Sequence, residues 1–195
     1  MPVDHASLAT FWQWFAAHES ELFAFERDQD RVFDRLARAM HAVDPDLTFE
    51  FGPVEDGRRE FVISADGHLR AFPSVVALAD AAPALPRWIV VRFRPRRDAG
   101  EIHIGPTIVR AAEVVVVPEI DEGKIGVQIF VPGYKPTPNS VFEQVGFLLL
   151  DQTLGEFDVE TKIGYVEIGR RPATLPAGAV PLADLPAIVD RLAVT

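Results

Sequence analysis

The chain writes the same local pattern twice, and that repetition restricts its possible folds more than any other feature. Val-Glu-Asp-Gly-Arg-Arg-Glu-Phe-Val-Ile-Ser-Ala-Asp-Gly, starting at Val54, is matched in kind by Ile-Asp-Glu-Gly-Lys-Ile-Gly-Val-Gln-Ile-Phe-Val-Pro-Gly, starting at Ile120. Each has an acidic residue and a glycine between β-favouring runs, the signature of a hairpin turn. A second parallel lies between Trp88-Ile-Val-Val-Arg-Phe-Arg-Pro-Arg-Arg97 and Ile163-Gly-Tyr-Val-Glu-Ile-Gly-Arg-Arg-Pro172. Strands are expected at Leu47–Phe51, Glu60–Ser64 and Trp88–Phe93 in one half, and at Glu113–Val117, Ile125–Val131 and Lys162–Ile168 in the other. A helix falls before the last strand of each set. Pro73-Ser74 opens the first, which runs to about Ala81. The second starts with Ser140 and Glu143 at capping-box spacing and continues to a stop at Gly155.

Two β-β-α-β units are therefore expected, over about 47–97 and 112–172. A β-α-β crossover lays its helix on one face of a sheet. The expected architecture is α/β of the α+β type: one mixed sheet with helices packed on it, in a single domain spanning 1–195. An N-terminal helical segment, 7–43, precedes the units. Leu8, Phe11, Trp12 and Phe15 recur at the spacing of one helix face, with Ser7 placed as an N-cap. A second helix starts near Asp28 or Asp30 and buries Val32, Leu36, Met40 and Val43. Asp98–Thr107 bridges the halves, with a short edge strand at Ile102–Ile104, and Arg170–Pro181 is a linker to a C-terminal helix at 184–193 capped by Asp184.

Composition supports a packed interior without staples. The 195 residues include 14 Phe and 3 Trp, and full burial of each such side chain stabilises by roughly 1.5–3 kcal/mol. There is no Cys, which removes disulfides, thiolate metal sites and cysteine nucleophiles together and agrees with a reducing, cytoplasmic compartment. The start carries no basic-then-apolar pattern of a signal peptide, and the apolar runs Ala111–Val117 and Val145–Leu150 are far too short to span a membrane. The net charge of −10 disfavours nucleic acid, whose phosphates demand Lys and Arg. Arg58-Arg59, Arg92/Arg94/Arg96/Arg97 and Arg170-Arg171 read as solvated strand ends and turns.

Three groupings invite a functional reading. In an extended segment, Glu156, Asp158 and Glu160 would share one face, and Asp151 lies one helical turn before Gly155. Such an oxygen-rich set suits a divalent cation such as Mg²⁺, Mn²⁺ or Ca²⁺; the alternative is a charged face that discourages edge pairing. Trp12, Trp14 and Phe15 belong to the densest aromatic stretch, and Trp14 lies off the main stripe. That leaves deep burial or an exposed patch for a protein partner. The five His are scattered, with no zinc-binding pair, and neither a nucleophile elbow nor a phosphate-binding loop occurs.

Trp12-Gln-Trp-Phe, Glu60-Phe-Val-Ile-Ser-Ala-Asp-Gly and Phe147-Leu-Leu-Leu-Asp-Gln-Thr-Leu-Gly-Glu-Phe-Asp-Val-Glu give the chain a resemblance to bacterial proteins of unknown function. The resemblance implies no reaction, ligand or site residue. The leading functional expectation is a non-enzymatic bacterial binding or regulatory protein that works through protein–protein contacts, for example an immunity or inhibitor protein whose carboxylates cover a basic active site. An alternative is a divalent-metal-dependent hydrolase using Glu156, Asp158 and Glu160, with Asp151 as ligand or base. A third is a small-molecule sensor with its pocket between the two halves. No cofactor is expected outside the metal reading, and a homo-oligomer is compatible with all three.

Overall fold

In the computed structural model, which describes residues 4–121, 123–136 and 141–192, the chain divides into two compact units, up to Arg94 and from Pro95. The class is α+β, as the pattern of elements predicts.

Unit 1 begins with α1 (His5–Ala17), and its cap is Asp4 rather than Ser7: Asp4 Oδ1 accepts from the Ala6 amide at 3.1 Å. Ser7 instead sits inside the first turn and donates to the Asp4 carbonyl. Leu8, Phe11, Trp12 and Phe15 form the buried stripe. After α2 (Glu19–Phe23) comes α3 (Gln29–His41), which buries Val32, Leu36 and Met40 at three- and four-residue spacing. The hairpin β1 (Thr48–Glu55) and β2 (Arg58–Ser64) is longer than the sequence indicates. Gly52-Pro53 is absorbed as an irregularity between Phe51 and Val54, so pairing resumes at Val54↔Arg59 instead of stopping. Asp56 and Gly57 make the two-residue turn with φ of 49° and 75°, the left-handed pair such a turn demands.

A crossover through α4 (Phe72–Asp80) returns the chain as β3 (Trp88–Arg92), parallel to β2. The order is β1-β2-β3, and period-two alternation sends Phe49, Phe51, Phe61, Ile63, Trp88 and Val90 to the helical side. There Phe15 stacks on Phe61 at 5.0 Å and meets Trp88 edge-on at 5.2 Å between centroids. Offset and edge-on contacts of this kind suit aromatic quadrupoles.

Unit 2 repeats the scheme. A two-stranded hairpin, β4 (Glu101–Ile104) and β5 (Thr107–Arg110), precedes it. Then β6 (Val115–Asp121) pairs antiparallel with β7 (Lys124–Val131). Two helices, α5 (Val141–Leu154) and α6 (Glu156–Lys162), lead to β8 (Ile163–Arg170), parallel to β7. The segment expected to be a linker contributes β9 (Val180–Pro181) on the far side of β6, and α7 (Leu185–Leu192) follows a short 3-10 turn that contains Asp184. The order is β8-β7-β6-β9. Ile125, Val127, Ile129 and Val131 face Val145, Leu149, Leu150, Leu185 and Val189 in a second core. Gly146 is where α5 crosses β8, since a Cβ there would lie 2.4 Å from Ile168 Cδ1.

The single mixed sheet expected from sequence is corrected to three sheets among the described residues. The physical reason lies in the crossovers: β3 fills the open side of β2 and β8 fills that of β7, so each hairpin is completed by a strand of its own unit. The proposed Ser140 cap lies outside the described residues. No helix among the described residues is long and apolar enough to cross a membrane.

Candidate functional site: a groove between two helices of unit 1

The acidic segment is not extended, and this overturns the geometry on which the metal reading rests. Gly155, with φ 76° and ψ 154°, breaks α5 and starts α6, so Glu156–Lys162 is helical. At about 100° per residue, Asp158 turns away from the side shared by Glu156 and Glu160. Glu156 is buried, being 1% exposed. Asp158 pairs with Lys162, Nζ to Oδ1 2.7 Å, and with Arg96. The same Arg96 donates Nε to the Leu154 carbonyl at 3.1 Å and both terminal nitrogens to Asp190. Its hydrogen bonds raise the guanidinium pKa above its ordinary value and hold the Asp190 carboxyl below its own. This ion cluster fastens the segment before Arg97 to α6 and α7. Asp151 is half-buried, and its carbonyl accepts from the Gly155 amide at 2.7 Å. Among the described residues no group of three or more His, Asp or Glu is placed to hold a metal ion.

Two of the three aromatic candidates are core residues, so for them burial holds and the partner-patch alternative is corrected. Phe15 is fully buried and Trp12 nearly so, with the indole N–H of Trp12 donating to the Leu78 carbonyl at 2.9 Å. Trp14 differs. It is half-buried, and its ring stacks on His18 with 4.6 Å between centroids. The His18 Nδ1 is 2.7 Å from the Trp14 carbonyl, which fixes the imidazole over the indole.

Trp14 forms one wall of a groove of about 650 Å³ between α1 and α3. On α1 the lining residues Ala6, Thr10 and Trp14 fall four apart, with Phe11 as floor, and Ser7 and the cap residue Asp4 also line the groove. On α3 they are Arg35, Arg38, Ala39 and Ala42. Both sets have the spacing of one helix face. The small alanines keep the floor shallow and apolar. Two cations border it, in different states. Arg35 donates Nη1 to Glu21 Oε2 at 2.7 Å. Arg38 donates Nε to the Asp34 carbonyl at 3.1 Å, and among the described residues no carboxylate pairs with it. An apolar trough with an unneutralised cation at its edge can hold an amphipathic, acid-bearing group.

Sequence reasoning named Trp14 but missed the groove, because the groove is a property of two helices brought side by side. The available signal was Ala39 and Ala42 recurring beside Arg35 and Arg38 on one face of the second helix.

No family model matches the chain, and no match to a curated protein or a solved structure was found.

Proposed function

We propose that the protein is a non-enzymatic, cytoplasmic binding or regulatory protein whose working surface is the groove between α1 and α3. The single observation that carries this reading is the pairing of an apolar trough of about 650 Å³ with Arg38, an exposed guanidinium that has no carboxylate partner among the described residues. The occupant that fits is an amphipathic helix of a partner protein. It lays an apolar stripe over Phe11, Trp14, Ala39 and Ala42 and brings one carboxylate to Arg38. Trp14 serves as the aromatic anchor, the residue type that most often dominates such contacts. A net charge of −10 favours a partner that is basic elsewhere on its surface, as in an immunity or inhibitor complex.

The test compares proteins retained from a bacterial lysate by the wild-type chain and by Arg38→Glu, a substitution at an exposed position that leaves both cores untouched. One partner should be retained by the wild type, released as salt rises, and lost from the variant. A partner held equally by both proteins would remove the groove from the account, and salt-independent retention would remove the ionic contact.

A further inference from the structure

The sheet of unit 2 treats its two edges differently. On one side β6 is covered by β9, a strand of two residues that ends in Pro181. Short length and proline are the usual protections against edge-to-edge pairing. On the other side β8 runs for eight residues, Ile163–Arg170, with no proline and no lysine, and among the described residues it hydrogen-bonds in this sheet to β7 alone. Its outer row of backbone groups is a template for another extended chain. Beside it stand Phe147, 54% exposed, and Tyr165, with Val159 and Val166 in a hollow of about 250 Å³.

The strand is also compatible with a copy of itself. Gly164 falls at a register shift, which leaves Tyr165–Arg170 as the regular stretch. Tyr165, Glu167 and Gly169 oppose Gly126, Gln128 and Phe130 and therefore share one face, while Val166 and Ile168 face the core. Directly opposed residues of an antiparallel pair lie on the same face, so a symmetric pairing must centre on a residue of this stretch. Centred on Glu167, it sets the two Glu167 carboxylates against each other, which is unfavourable. Centred on Ile168, it sets Glu167 opposite Gly169 of the second copy and Val166 opposite Arg170 of the second copy. Of the two centres that pair five residues of Tyr165–Arg170, charge thus selects Ile168.

We propose that the protein forms a two-fold dimer in which β8 pairs antiparallel with β8 of a second copy about Ile168, joining two four-stranded sheets into one. The pairing satisfies the open edge and covers Phe147. Its test is the mass of the full chain by light scattering across a dilution series. A species of twice 21.6 kDa that dissociates on dilution is expected. A Cβ at Gly169 would meet nothing within 4 Å, so substitutions there are accommodated. Gly169→Glu places a carboxylate opposite Glu167 of the second copy at two symmetric positions and should weaken the dimer roughly fivefold to tenfold. Adding Glu167→Lys should restore it. A chain that stays monomeric up to millimolar concentration overturns the proposal. So does a dimer indifferent to Gly169→Glu, or a loss that Glu167→Lys does not repair.

Discussion

At the scale of single residues, Trp12 illustrates how a side chain suited to recognition can serve the interior instead. Its ring lies among Phe11, Phe15 and Phe61, and its N–H answers the Leu78 carbonyl in the last turn of α4, where helical partners run out. Trp12→Phe removes that donor and leaves a void, and should cost about 2 kcal/mol in chemical unfolding without changing partner retention. Unchanged stability would show that the indole bond contributes nothing. The stripe of Leu8, Phe11, Trp12 and Phe15 was legible because helix spacing reports burial directly. The stretch from Glu156 to Glu160 was not, since acidic and apolar residues alternating over five positions fit a strand or less than two helical turns equally well. What decides between them is tertiary: Gly155 turns the backbone, and Arg96 gathers Asp158 and the Leu154 carbonyl from outside the segment.

At the scale of elements, the order of strands and helices was readable from turn chemistry, down to the Asp56-Gly57 hairpin. The partition into sheets was not. Two hairpins and two crossovers make one sheet or two depending on which edge each returning strand fills, and side-chain pattern is the same in either case. The contact that seats one returning strand is specific. Gly146 allows α5 to lie close over β8, and an added Cβ would stand 2.4 Å from Ile168 Cδ1 and 2.9 Å from its Cγ1. Gly146→Ala should therefore destabilise by about 1–3 kcal/mol, the usual range for overpacking. Ile168→Val deletes Cδ1, so the double variant should recover part of the loss. If the two substitutions add without recovery, the close approach is not the cause.

At the scale of the whole molecule, arginine neutralises much of the acidic surface one pair at a time. Glu19 is held below its ordinary pKa first by its hydrogen bond from Arg87, Asp46 by Arg70, Glu101 by Arg110 and Asp190 by Arg96. The folded protein thus binds fewer protons in acid than the unfolded chain. This contribution is complete above the ordinary carboxylate pKa and is lost as pH falls through the lowered values. Tm should stay level from neutrality to about pH 5 and then decline, with a gentler decline in high salt because exposed pairs are screened. A Tm that does not fall between about pH 5 and pH 3 would contradict the pairing.

The division at Arg94 has a consequence for synthesis. All the residues that build the first core, from Leu8 to Phe93, precede all those that build the second. The ribosome releases the first set complete while the second is still being made, and N-terminal units commonly fold in that interval. Trp12, Phe61 and Trp88 can be out of water before Ile125 or Leu149 exists as nascent chain. The exposed apolar surface at any moment of translation is then that of about half the protein.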